Sequence, residues 1–398
     1  MKRSISLLVI IILLITMSAP LSHAAFANPL AAVDTPDRAG IRTAPEVTAA
    51  SAMLIDAKTG DMLWRKNSEE KRPIASITKI MTAIVTIKHA NLDDTVTVKR
   101  DALGPGMLGG VRLAVNERMK LRDLLYALLL PSANDAAVAI ADHVGGSVSG
   151  FAGMMNSKAA LIGAQNTHYM NPHGLDHANH YSTARDLATI ARYAMQDKTF
   201  AEITSTKTWQ LNRSAPGLPT NIKSTNVLLS SYPGANGGKT GYTRKAGNCL
   251  VASATRGDVS LISVVLGEKK RKILFKESAA LLDFGFSLYG EKKLISKGAI
   301  YKTVTSRYGP YVDLVAAEDV SAVVREYLPT RIETQYVSDI DLPVRRGTVL
   351  GKVILYQADR VIGASDLVAK EDIEYPVLEE TGSYFWAQYI NHILKIRA

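Results

Sequence analysis

Three short stretches carry side chains that could together activate a serine. In RPIASITKI, Ser76 and Lys79 stand three residues apart, so a helix opening at Ser76 would set both on one face. A serine hydroxyl is a weak nucleophile until a base takes its proton. A lysine can be that base only when neutral, and burial or a second cation lowers its pKa. The residues after Lys79 are mostly apolar, which provides the burial, and the start of a helix favours developing negative charge at Ser76. In LLPSANDAA, Ser132 and Asn134 follow the helix-breaking Pro131, where a turn would present them to a cleft. In GGKTGYT, Lys239 is the second cation, and its glycines let another chain approach a predicted strand closely.

The elements that must position these groups follow from pattern. Helical segments are expected over 76–90, apolar on most sides as a central helix should be, and over 120–130, 134–145, 151–164, 182–196 and 272–289. Ser182 or Thr183 would cap the fifth of these. Strand patterns surround the helices: SAMLIDA and DMLWRK before them, NCLVASATRGDVSLISVVLG after them. Strands at both ends with helices between predict one α+β domain whose sheet uses both ends of the chain. Lys58-Thr59-Gly60 repeats the tripeptide of 239–241, but it joins two apolar runs and reads as a hairpin tip. Arg256-Gly257-Asp258 reads the same way. Beyond about residue 292, short β-rich segments predict a second, mostly β domain.

Composition narrows the setting. Residues 1–24 have a basic start, an apolar run and small residues before a cut at Ala24, or as late as Ala27. This is the pattern of a cleaved export leader. The single cysteine, Cys249, lies in an apolar run and reads as a buried hydrophobe. The formal net charge is +10, and about +8 once Lys2 and Arg3 leave with the leader. That suits an anionic envelope or membrane surface. Nucleic acid is not expected, since no basic run is interleaved with aromatics. The terminal stretch SYFWAQYINHILKIRA recurs apolar at three- and four-residue steps. It is shorter than the ~20 residues a span needs and suits lying in a membrane interface.

The order Ser-x-x-Lys, Ser-x-Asn, Lys-Thr-Gly is a signature of penicillin-recognising serine enzymes, and only the tripeptide at 239–241 lies after the other two motifs. With these motifs the chain resembles the D-alanyl-D-alanine carboxypeptidases, the low-molecular-mass penicillin-binding proteins. NPHGLDHANHYSTARDLA (171–188), LLDFGF and the terminal helix are similar as well, so the likeness covers residues 48–398. The resemblance implies an α+β domain of the β-lactamase/transpeptidase type, an antiparallel sheet with a helical cluster. A smaller β domain and an amphipathic helix would follow. The expected division is leader 1–24, linker 28–45, serine peptidase 46–290, β domain 293–377 and membrane-associating helix 383–398.

By the same resemblance, Ser76 attacks the carbonyl between two D-alanines of a peptidoglycan stem pentapeptide and Lys79 accepts its proton. Ser132 relays a proton to the leaving amine and Asn134 binds the substrate's peptide group. Lys239 supplies positive potential, Thr240 binds the terminal carboxylate, and Gly241 permits close approach. The N–H groups of Ser76 and Tyr242 form the oxyanion hole. β-Lactams would acylate Ser76. No cofactor or metal is implied. Two departures stand out: glycine near Gly109, where the family often has serine, and Asn236, where it often has aspartate. By the same resemblance both lie near the cleft, outside the three motifs.

Other readings are weighed against this one. A class A β-lactamase needs a glutamate to activate water, and no glutamate occurs between Glu117 and Glu202. A peptidoglycan endopeptidase uses the same chemistry and stays open at this stage, as does a non-turnover β-lactam sensor. His168, His173, His177 and His180 could suggest zinc, but Pro172, Gly174 and Asn179 argue for a loop.

Overall fold

The computed structural model describes residues 43–104 and 111–376. Five antiparallel strands form the first sheet, in the order Met62–Lys66, Ser51–Asp56, Val259–Glu268, Gly247–Arg256, Ala235–Thr243. The sheet does join both ends of the domain. Its second strand is buried throughout, because both faces of the sheet are covered. Ala52 and Leu54 enter one core and Met53 and Ile55 the other, as the two-residue strand period requires. The helix Arg271–Ser287 covers the first face through Leu274, Leu281 and Leu282. The helical cluster covers the second.

At the centre of that cluster lies the helix Lys79–His89, whose first eight residues, Lys79 to Thr86, are all buried. The helices Leu121–Leu129, Asn134–Gly145, Val148–Leu161 and Ala184–Met195 accompany it. Thr183 caps the last by accepting the Asp186 N–H. Pattern reading overlooked the short helix Lys198–Ser205, capped by Asp197. It also overlooked two small hairpins, Thr95–Thr97 with Arg118–Lys120 and Thr208–Gln210 with Asn221–Lys223. Three-residue strands leave too little alternation to detect.

Both tripeptides read as turns are turns. Asp56 Oδ1 accepts the N–H groups of Lys58 and Thr59 at 2.8 and 2.9 Å, and Gly60 takes φ +81. Gly257 turns the other hairpin at φ +53.

Beyond the helix Arg271–Ser287, the strand Tyr289–Ile295 pairs with Val320–Arg325. A second five-stranded sheet follows, in the order Ile300–Thr305, Tyr311–Ala316, Arg360–Ala369, Val349–Gln357, Thr330–Tyr336. This β domain has its own core around Val312, Leu314, Val353, Leu355 and Leu367. The first hairpin tip meets it. Asp61 pairs with Arg325 and, at 2.9 Å, with Arg360, while the Tyr289 hydroxyl donates to Asp56 at 2.5 Å. The early Lys-Thr-Gly copy thus belongs to a domain junction.

One buried ion pair stabilises the segment leading to the second motif. Arg213 and Glu117 side chains are 1% and 0% exposed. The guanidinium donates to both carboxylate oxygens, at 2.7 and 2.9 Å, and to the carbonyls of Val111, Arg112 and Pro219. Breaking such a pair from one side leaves a buried charge unpaired, which costs about 3–5 kcal/mol. Glu117→Gln should therefore lower the stability measured by urea unfolding by about that amount; a loss under about 1 kcal/mol would mean the pair is hydrated.

Candidate active site

Ser76 does not open the α-helix as expected. It lies in a single 3-10 turn, Ala75–Thr78, that feeds the helix starting at Lys79. In a 3-10 turn, side chains three apart eclipse, which brings the motif's two functional atoms together. Lys79 Nζ is 2.8 Å from Ser76 Oγ. It is also 2.6 Å from Asn134 Oδ1 and 2.9 Å from the His173 carbonyl oxygen.

Lys79 is fully buried. Its pKa lies well below the ordinary lysine value, mainly through burial and next through the charge of Lys239, with Asp135 pulling weakly upward. A neutral amine has two hydrogens and one lone pair. Asn134 Oδ1 and the His173 carbonyl are acceptors and take both hydrogens. The lone pair is left for the Ser76 hydroxyl, which then donates to it. An amine so placed is within hydrogen-bond reach of the hydroxyl, the geometry that proton abstraction from a serine requires.

Lys239 is 1% exposed. Burial, then Arg271, pushes its pKa down to about 7. Lys239 acts on Lys79, yet Arg271 is the charge that acts on Lys239. Lys239 therefore titrates beside a Lys79 that favours its neutral form. Lys239 Nζ donates to the Thr240 carbonyl at 2.9 Å.

The strand Ala235–Thr243 is the edge of the sheet on this side. It lies against the Ser76 turn at Gly241, where an added Cβ would sit 2.9 Å from Ser76 N and 3.1 Å from Ala75 Cβ. Glycine is what this contact admits. Thr240 Oγ1 is 2.6 Å from Thr225 Oγ1, and Thr225 N–H donates to the Leu130 carbonyl at 3.1 Å. That ties the third motif to the turn that carries the second. Tyr242 is paired opposite Asn248 and is 61% exposed.

Ser132 stands in the turn before Asn134 at φ +70, a conformation that costs a non-glycine residue roughly 1–2 kcal/mol and clusters at functional sites. No hydrogen bond joins it to Ser76 or Lys79 among the described residues. The contacts above therefore gather Ser76, Lys79, Asn134, Lys239, Thr240 and Gly241, with Ser132 two residues from Asn134.

Several partners escaped the sequence. The His173 carbonyl is a backbone group, and no side-chain motif announces it. Asp135 fixes the start of its helix by accepting the Leu113 N–H at 2.9 Å, and it follows Asn134 directly. Thr225 and Arg271 lie outside every motif. Asn236, expected near the cleft, bonds Thr255 and Ser253 at 2.9 and 2.8 Å instead. It lies at a register irregularity between Ala235 and Gly237. The glycine at 109 lies outside the described residues.

The histidines divide by environment. His173 and His180 are buried, and burial pushes their pKa values down to about 3 and about 4. His177 is exposed and His168 half-buried. Among the described residues no group of histidine, cysteine or carboxylate could hold a metal. Cys249 is buried, and burial pushes its thiol up to about 11.

The chain is similar to known proteins along most of its length. Residues 39–270 match the family described as D-alanyl-D-alanine carboxypeptidase, and residues 289–375 match the penicillin-binding protein 5 C-terminal domain. The chain is 33% identical over 387 residues to D-alanyl-D-alanine carboxypeptidase DacF of Bacillus subtilis, covering 94% of this chain and 95% of that one. It is 34% identical over 353 residues to DacC of Escherichia coli, covering 83% and 86%. Among solved structures, penicillin binding protein 5 from Haemophilus influenzae superposes with TM-score 0.61 at 30% identity, over 83% of this chain and 99% of that one. The Streptomyces K15 DD-transpeptidase gives 0.60 at 35% identity, over 62% and 100%.

Proposed function

The chain belongs to the D-alanyl-D-alanine carboxypeptidase family, and from that premise we propose which of its residues perform the reaction. It is a serine-type D-Ala-D-Ala carboxypeptidase. It removes the terminal D-alanine from peptidoglycan pentapeptides through an acyl-enzyme and is acylated by β-lactams.

In our reading Ser76 Oγ attacks the carbonyl between the two D-alanines while its proton passes to Lys79 Nζ. The observation that carries this is the 2.8 Å contact between those atoms, with both hydrogens of a neutral Nζ already directed at Asn134 and His173. The oxyanion would be met by the N–H groups of Ser76 and Tyr242. The first N–H groups of a helical turn lack acceptors within it, and the 239–243 segment is on an edge strand. Removing one such donor typically costs about 10²–10³ in rate. Lys239 and Thr240 would receive the terminal carboxylate, Gly241 lets the strand lie against Ser76, and Asn134 would hold the substrate's peptide group. Ser132, held in its strained turn, would give its proton to the departing D-alanine amine and take in its place the one that Lys79 received from Ser76. Water then frees the shortened peptide.

Incubation with penicillin should add one acyl group, located on Ser76 by peptide mass spectrometry. Ser76→Ala should abolish both the adduct and D-alanine release while leaving the fold unchanged. An adduct elsewhere would refute the assignment.

The pH dependence has a definite sign. Reactivity needs Lys79 without its proton, so kcat/KM rises with pH through a value well below that of an ordinary lysine. It needs the charge on Lys239, so it falls as pH passes about 7. A bell results. Lys239→Met removes a cation from beside Lys79, so its rising limb should move to higher pH; an unmoved limb would contradict the coupling.

We also assign residues 1–24 to an export leader, 28–45 to a linker, 46–290 to the peptidase and 293–377 to the β domain. Residues 383–398 form, in this reading, an amphipathic helix that holds the protein at the outer face of an anionic membrane. The leader, most of the linker and the helix lie outside the described residues. What supports the helix is its aromatic and aliphatic periodicity with a basic tip. No described helix is long and apolar enough to cross a membrane. Phosphatidylglycerol vesicles should retain the full chain and release a chain ending at Glu380; equal retention would reject the anchor.

A further inference from the structure

The backbone beneath Ser76 is held in an unfavourable form. Ala75 has φ +47, in the region where Cβ crowds the following carbonyl. Two contacts hold it there. Gly174 passes over the Ala75 carbonyl so closely that an added Cβ would meet its oxygen at 1.9 Å. The Thr78 hydroxyl donates to the same oxygen at 2.8 Å.

A hydroxyl has a single hydrogen. Thr78 Oγ1 must therefore accept from its other neighbour, His180 Nε2, at 2.8 Å. The imidazole permits that direction. Its Nδ1 accepts the Met170 N–H at 3.1 Å, so the hydrogen of the neutral ring stands on Nε2. Every hydrogen in the run from Met170 N–H through His180 and Thr78 to the Ala75 carbonyl then has one consistent place. The run is dry: His180 is 3% exposed, and Thr78 and Ala75 at most 1%. The ring of Tyr169 meets His180 edge-on at 5.6 Å and fixes its plane. Neither His180 nor Thr78 hydrogen-bonds the side chain of Ser76, Lys79 or Asn134 among the described residues.

We propose that His180, acting through Thr78, is a positioning residue for acylation: it keeps Ala75 left-handed and thereby sets Ser76 Oγ and Ser76 N–H against Gly241. This rests on Ser76 being the nucleophile. It adds that the nucleophile's aim is set from a loop about a hundred residues downstream.

The test separates the two hydrogen bonds of the ring. Thr78→Val keeps shape but removes the hydroxyl, whereas Thr78→Ser retains it. His180→Asn keeps an acceptor for Met170 but loses the donor to Thr78, whereas His180→Gln carries an N–H to the Nε2 position. Acylation and deacylation by a fluorescent penicillin are timed separately in the full chain, alongside melting temperatures and the mass-spectrometric position of the adduct. Thr78→Val and His180→Asn should each slow acylation about tenfold, the effect of losing one ordinary hydrogen bond from the transition state. The double variant should be no slower than either single one, and Thr78→Ser and His180→Gln should stay within about threefold of the unaltered protein. The non-covalent affinity should hardly change.

Unaltered acylation in Thr78→Val, or losses that multiply in the double variant, would overturn the proposal. So would His180→Gln as slow as His180→Asn at equal melting temperature. Should His180→Asn not fold, Thr78→Val against Thr78→Ser decides the matter alone. An adduct away from Ser76 in the unaltered protein would instead defeat the nucleophile assignment, a separately visible outcome.

Discussion

Two buried lysines lie within reach of each other's charge. Lys79 and Lys239 are both essentially excluded from solvent, and charged amines in such a place repel each other and lose their hydration. One of them must give up its proton. Burial first, then the charge of Lys239, favour the neutral form of Lys79, against an upward pull from Asp135. The surrounding acceptors then decide what the neutral amine can do. With Asn134 and the His173 carbonyl taking its hydrogens, its lone pair has one partner left, the Ser76 hydroxyl.

This chemistry requires three distant pieces of chain to meet, and each pair is joined by a different device. The first and second motifs are linked by the Lys79–Asn134 hydrogen bond. The second and third are linked through Thr225, which holds Leu130 on one side and Thr240 on the other. The third and first meet by contact alone, at Gly241, where a methyl group would collide with Ser76 N. A fourth piece, the 171–180 loop, presses on the same turn through Gly174 and accepts from Lys79 through His173. The left-handed Ala75 and Ser132 are the local strain that this assembly sustains.

The duplicated tripeptide shows how little a motif means without its surroundings. Lys239-Thr240-Gly241 lies on an edge strand against the Ser76 turn, with its lysine buried. Lys58-Thr59-Gly60 turns a hairpin, and the Lys58 side chain is 58% exposed and faces Asp258 at 3.7 Å. The residue after it, Asp61, serves the junction with the β domain through Arg325 and Arg360. The same three side chains thus serve different ends because burial differs.

The α+β plan, the buried central helix, the hairpin turns and the ordered motifs were all legible in the sequence. Each is encoded locally, in the period of apolar residues, in turn residues, or in spacing along one helix. Ser76 and Lys79 could be paired from a three-residue interval for the same reason. Other features depend on residues far apart in the chain meeting in space. The Ala75 carbonyl at the start of the Ser76 turn is met by Gly174 from a distant loop and by the Thr78 hydroxyl. The carbonyl of His173 acquires a role only when its loop reaches Lys79. Asn236 takes its partners Thr255 and Ser253 from the neighbouring strand, at a register irregularity that no local pattern marks. Side-chain type and spacing select the chemistry, whereas proton placement depends on burial and on backbone groups, which only the tertiary structure supplies.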